Sequence, residues 1–312
     1  MRRHPLLLAA VFAFFLNAAS PPAHAWNAAG HRLTAAIAWH ELPNEARARI
    51  GELLAAHPDH DRWLARQKNV TPAYAAFLEA STWADEIRRD ARFHDDGEDP
   101  TRTLAGFPDM ARHTRWHYVD QPLFAAPIVR NIGDGELHLQ LARLRRSITD
   151  TTQPPAARAY ALVWLIHLVG DAHQPLHTVS RIDEEGRGDD GGNRLWVDNP
   201  FHPRLREMTL HAYWDDLPGP PWLRGERLER RARRLLESHP PGAITAATGA
   251  KLSDWLSEGR SLAQMVVYAD LDGDAPSISA NYHERAQRTA DERVVTAGRR
   301  LARLLTELLL SW

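Results

Sequence analysis

Between Ala159 and Val169 the chain reads A-Y-A-L-V-W-L-I-H-L-V, apolar on every side apart from one histidine. Such a segment predicts a buried helix rather than an amphipathic one. Its two polar interruptions, His167 and Asp171, are four residues apart. That spacing places them on one helical face, with Cβ atoms about 5–6 Å apart. Pro175 stops the helix and His177 follows two residues later. A buried imidazole beside a buried carboxylate needs a partner, because an uncompensated charge there is very costly. A private hydrogen bond and a shared metal ion both satisfy that requirement.

The remaining pattern is also mostly helical. A helix is predicted from Trp26 to His40, a second after Pro43, and a third after Pro72 that carries Asp85 and Arg88. Asp59-His60-Asp61 reads as a solvated polar turn, and residues 90–108, rich in Asp, Gly and Pro, as a loop. His113 to Asp120 is a short aromatic stretch around His117, and residues 135–148 have helical period. The glycines at 188, 191 and 192 supply turn freedom before a short strand at Leu195-Trp196-Val197. Residues 204–216 read as a helix that repeats the earlier spacing in His211 and Asp215. Arg224 to Arg234 reads as a solvated helix face, and a long helix is predicted from 279 to 310. No repeat of fixed period and no linker interrupts this all-α order, so one domain is expected from residue 26 to 312. The Asn69-Val70-Thr71 sequon, followed by Pro72, carries no functional reading.

Composition narrows the chemistry. A formal charge of −2 argues against a basic-patch nucleic-acid binder, but not against an enzyme that meets phosphates through metal ions. Residues 1–25 read as a signal peptide: Arg2 and Arg3, an apolar run from Leu6 to Leu16, and an Ala23-His24-Ala25 cleavage site. The run is too short to span a bilayer, so a periplasmic or secreted chain without membrane insertion is expected. Loss of Arg2 and Arg3 takes the charge from −2 to −4. With no cysteine, disulfides are impossible, and structural metal is a candidate cross-link. Seventeen histidines are available for it.

Two helical His-x-x-x-Asp pairs beside further histidines suit a site built between facing helices from nitrogen and oxygen donors. Without thiolates, such a set points to a catalytic, multi-metal centre. Six pieces in order carry a resemblance: W-N-A-A-G-H at Trp26, W-A-D-E-I-R at Trp83, W-H-Y-V-D at Trp116, H-L-V-G-D-A-H-Q-P-L-H at His167, D-G-G-N at Asp190 and H-A-Y-W-D at His211. Together they resemble the zinc-dependent, single-strand-specific nucleases and 3′-nucleotidases of the S1/P1 type.

The resemblance implies an all-α fold around a cleft with three zinc ions. It places one zinc on Asp85, His117, His167 and Asp171. A second falls on the α-amino nitrogen and carbonyl of Trp26 with His31 and a shared Asp171, and a third on His177, His211 and Asp215. It also implies that Arg88 clamps a phosphate, and that Tyr118, Asp120 and Asn193 form a base pocket. Substrates would be single-stranded DNA, RNA and 3′-nucleotides, cleaved by a monomer to leave 5′-phosphates. His173 and His94 receive no role and are expected in the core or at the surface. The amino group of Trp26 binds zinc only if cleavage falls after Ala25, so a one-residue processing error would cost a metal ion. Residues 91–108 and 218–241 match nothing in the pattern. Two other readings stay open: a zinc-dependent phospholipase C, which ends in His-x-x-x-Glu where this chain has Asp215, and a non-catalytic zinc-binding protein.

Overall fold

The computed structural model describes residues 26–67, 69–123, 134–202, 204–241, 251–271, 273 and 275–310. The signal-peptide reading of residues 1–25 therefore lies outside the described residues. The fold is all-α, with two short two-stranded sheets as accessories.

The apolar stretch forms the central helix. Pro155 occupies the first turn of α6 (Pro155–Asp171), where a missing N–H costs nothing, and every residue from Ala159 to Asp171 is buried. Trp164 lies completely inside among Tyr160, Trp83 and Trp116; cutting it to alanine would cost about 3–5 kcal/mol. The helix stops at Asp171, before Pro175, which instead opens a 3₁₀ turn (Pro175–His177) capped by the Gln174 side chain.

Around α6 stand α1 (Ala28–Glu41), α2 (Asn44–Ala55), α4 (Pro72–Glu86) and α5 (Leu137–Thr149), with α3 (His60–Leu64) packed on α4. Asn27 caps α1 by accepting from the Ala29 amide at 2.8 Å, and Thr71 caps α4 ahead of its Pro72. The long α10 (Ala280–Leu310) packs against α1 and α6. It buries Arg300, whose guanidinium grips Glu258 of α9 (Leu252–Leu262) at 2.7 and 2.8 Å. α8 (Gly225–Ser238) lies against α1. It is a polar helix, as expected, though Leu228, Ala232 and Leu235 are buried.

Two expectations change. Residues 204–216 are not one helix: strand β4 (Glu207–Thr209) pairs antiparallel with β3 (Trp196–Asp198) before α7 (Leu210–Asp216) begins. Met208 alone of that strand is buried, an alternation of period two, and Thr209 then caps α7. Asp59 is not solvated but 3% exposed, because Arg92 donates to both its oxygens at 2.8 Å and the Trp83 indole adds a third bond. The aromatic stretch is a 3₁₀ turn (Thr114–His117) leading into β1 (Gln121–Leu123), which pairs parallel with β2 (Val179–Arg181).

Candidate metal centre

The site forms where α1, α4, α6, α7 and two 3₁₀ turns meet, and nearly all of its donors are buried. His31 reaches it from the second turn of α1, Asp85 from the end of α4, and His117 from the turn before β1. His167 and Asp171 come from α6, as their spacing predicts.

The Asp171 carboxylate is central, for its two oxygens face different partners. Oδ1 lies 3.4 Å from His31 Nε2, while Oδ2 lies 3.0 Å from His117 Nδ1 and 3.4 Å from His167 Nε2. Asp85 stands 3.9 Å from both His31 and His167 and 4.0 Å from His117. Arg88 Nε is 3.6 Å from Asp85. His177 and His211 bring their Nε2 atoms within 3.0 Å of each other, and His211 lies 3.5 Å from Asp215. Three sets of side chains thus have donor atoms close enough to share an ion: His31, Asp85 and His167; His117, His167 and Asp171; and His177, His211 and Asp215.

Backbone carbonyls orient the rings. His167 Nδ1 donates to the Ser81 carbonyl at 2.8 Å, His177 Nδ1 to that of His117 at 2.7 Å, and His211 Nδ1 to that of Gly191 at 2.7 Å. With Nδ1 donating, each ring in its neutral form would offer its Nε2 lone pair to the centre. His177 and His211 then point two lone pairs at each other across 3.0 Å, an arrangement that calls for a proton or a cation between them. Both ring nitrogens of His31, Asp171 Oδ1 and His117 Nε2 are buried without a hydrogen-bond partner. Such groups cost several kcal/mol unless something binds them.

Electrostatics divide the imidazoles: burial disfavours the charged form of His167, but Asp171 and then Asp85 outweigh it and raise that ring to about 9. Burial first, then His167, holds His31 far below the usual imidazole range, and burial with Arg88 does the same for His117. Neutral imidazole is the form that ligates a metal. Burial pushes Asp215 well above the carboxylate range and Asp171 up to about 6, so the carboxylates lack the positive charge that would keep them ionised. The donor set fits a divalent cation that accepts nitrogen and oxygen ligands.

Of the other expected residues, the Trp26 ring is fully buried, and Gly30 leaves it room, since a Cβ there would come within 2.6 Å of Trp26 Cβ. Tyr118, Asp120 and Asn193 are half-buried. Asn193 Nδ2 donates to the Asp190 carbonyl at 2.8 Å, within a turn whose Asp190, Gly191 and Gly192 all have positive φ. His173 is a core residue, bonded to the Val169 carbonyl and to Arg300. Three supporting roles escape sequence reasoning. Gln174 Nε2 holds Asp215 Oδ1 at 2.8 Å; Gly170 makes way for His31, whose Nδ1 would lie 2.7 Å from a Cβ there; and the Gly191 carbonyl aims His211. Gln174 and Gly170 stand inside the H-L-V-G-D-A-H-Q-P-L-H piece, which was the available signal.

Residues 26–310 match the family described as S1/P1 nuclease. The chain belongs to that family. A curated relative, Endonuclease 3 of Arabidopsis thaliana, is 44% identical over 57 residues, which is 18% of this chain and 16% of that protein's length. Family membership and the three His/Asp groups support each other, since the match spans every donor in them.

Asp120 offers a separate electrostatic test. Burial, then Asp190, Asp189 and Asp134, pushes its carboxyl up to about 7 from an unfolded value of 3.8. A carboxyl raised in the folded state binds more protons there, so its contribution falls as pH rises from about 4 to 7. Asp120→Asn should therefore leave the melting temperature nearly unchanged at pH 4 and raise it at pH 8, by about 2 kcal/mol of stability after discounting for partial exposure. Equal melting differences at the two pH values would mean that folding does not shift the Asp120 carboxyl.

Proposed function

We propose that this S1/P1 family member is an exported zinc-dependent nuclease that cleaves single-stranded DNA and RNA to 5′-phosphorylated products and also acts as a 3′-nucleotidase. The observation that carries the proposal is the Asp171 carboxylate, whose two oxygens face two different histidine groups, as a ligand shared between two ions would. Asp85, His117, His167 and Asp171 would hold one zinc, Trp26 with His31 and Asp171 a second, and His177, His211 and Asp215 a third. Zinc held there supplies Lewis acidity and a hydroxide nucleophile near neutral pH.

The protein's own groups do the positioning. Arg88, its side chain almost buried beside Asp85, carries a planar guanidinium that suits a phosphate oxygen. Tyr118 offers a face for any unpaired base, which favours single strands, and Asp120 and Asn193 supply hydrogen bonds to its edge. Gln174 holds Asp215 while Ser81, His117 and Gly191 hold three imidazoles by their carbonyls, so the donors need little rearrangement. Cleavage after Ala25 would free the Trp26 amino group, consistent with export; among the described residues no helix is long and apolar enough to cross a membrane.

The purified mature protein is expected to hold about three zinc ions per chain and to release 5′-mononucleotides from denatured DNA and RNA. It should hydrolyse 3′-AMP faster than 5′-AMP and leave phosphatidylcholine intact. Cleavage of phosphatidylcholine without cleavage of denatured DNA would replace this function with that of a phospholipase C.

A further inference from the structure

The end of α4 has a second chemical face. It runs into a 3₁₀ turn (Ile87–Arg89), and Asp85 and Arg88 belong to the metal centre. Their neighbours Glu86 and Arg89 instead line a cavity of about 360 Å³ that neither of them touches. Arg62 of α3, with Arg66 and Arg92, completes a ring of four guanidinium groups around it.

The carboxylates nearby are largely committed. Arg92 occupies both oxygens of buried Asp59. Arg66 pairs with Glu86 and with buried Glu79, and Glu79 also faces Arg32 and Arg224. Over this continuous cluster six arginines meet four carboxylates, Asp59, Glu79, Glu86 and Asp90. The surplus of positive charge registers at buried Arg32, which burial and then Arg224 lower to about 10. Two of the cavity's guanidinium groups remain available. Arg89 is exposed and makes no hydrogen bond or ion pair among the described residues. Arg62, with half its side chain exposed, reaches Asp59 and Asp90 through a single nitrogen at 3.2 and 3.4 Å.

We propose that this cavity is a second phosphate subsite, one that takes a backbone phosphodiester of a single strand whose neighbouring phosphate lies at Arg88. The proposal rests on the nuclease reading. Arg88 and Arg89 are consecutive, with Cα atoms about 3.8 Å apart, so a strand that passes the end of α4 can meet both faces. The buried pairs with Asp59 and Glu79 hold the other arginines in place and limit the cost of gathering like charges. The subsite gives a role to Arg92, whose guanidinium lines the cavity while it holds buried Asp59. It gives polynucleotides a contact that a mononucleotide cannot make.

The test is the double variant Arg62→Gln/Arg89→Gln, compared with Arg230→Gln, which removes an exposed charge paired with Glu226 outside the cavity. Binding of a short non-hydrolysable phosphorothioate oligothymidylate is followed by fluorescence anisotropy over a range of salt concentrations. The double variant should bind about tenfold more weakly, with a salt slope shallower by about 0.7 for one lost phosphate contact. Its kcat/KM on 3′-AMP and its metal content should match the unmodified protein. Unchanged oligonucleotide affinity would overturn the subsite, and so would an equal loss on 3′-AMP. Tight binding of this oligonucleotide by an unmodified protein that leaves ordinary single-stranded DNA and RNA uncleaved would sink the nuclease reading and leave the subsite standing.

Discussion

Asp171→Asn is expected to abolish hydrolysis of single strands and of 3′-AMP, and to lower the metal content by at least one ion per chain. The reason is geometric. Both carboxylate oxygens are engaged, Oδ1 towards His31 and Oδ2 towards His117 and His167, and the residue is fully buried. An asparagine fits the same volume, so the helix and its packing survive. It keeps one acceptor, loses the charge, and turns an NH₂ group towards either His31 or the His117/His167 pair. Either orientation puts N–H donors where a cation should lie. Losing about 4 kcal/mol of transition-state stabilisation corresponds to a fall of about 10³-fold in rate. Asp85→Asn makes a useful comparison, because Asp85 lies at 3.9–4.0 Å from its histidines and is partly exposed, so its loss should be milder. Elemental analysis and kcat on 3′-AMP decide the matter together. Full metal content with activity within tenfold of the unmodified enzyme would show that Asp171 bridges nothing.

What could be seen in advance divides along a physical line. Periodicity exposes elements that bury a whole surface, so α6, α10 and the His-x-x-x-Asp pairs were legible from spacing alone. The meeting of those pairs was not, because no local pattern encodes which helices touch; the ordered motifs, through the family resemblance, carried that information. Asp59 shows the reverse failure. A D-H-D triplet looks hydrated until Arg92, more than thirty residues away, and Trp83 supply its bonds. Similarly, T-L-H-A-Y-W-D has helical spacing, yet the residues just before it are drawn into a strand because β3 offers an edge and Met208 a place in the core. The ring-orienting carbonyls of Ser81, His117 and Gly191 were invisible in principle, since every residue has a carbonyl and only the fold decides its direction.

Removal of metal should cost the protein most of its thermal stability. The chain has no cysteine, so nothing covalent ties α1, α6, α7 and the Pro175–His177 turn together. The centre instead gathers buried donors from all of them, several with no other partner. Any ligand that binds only the folded state stabilises by RT ln(1 + [L]/Kd), about 4 kcal/mol per site at a thousandfold excess over Kd. Three sites would contribute about 12 kcal/mol, and each kcal/mol moves the melting temperature of a chain this size by roughly 2 °C. Chelation should therefore lower the melting temperature by about 20 °C or more, and added zinc should restore it. The penalty goes beyond lost bonds. Without a cation, Asp171 and Asp215 lie in a site that disfavours their ionised forms, and the Nε2 lone pairs of His177 and His211 repel across 3.0 Å. Calorimetry with and without chelator, at one protein concentration, checks the expectation. A shift of less than a few degrees would mean that the helices pack around an empty centre at little cost, and that metal serves chemistry alone.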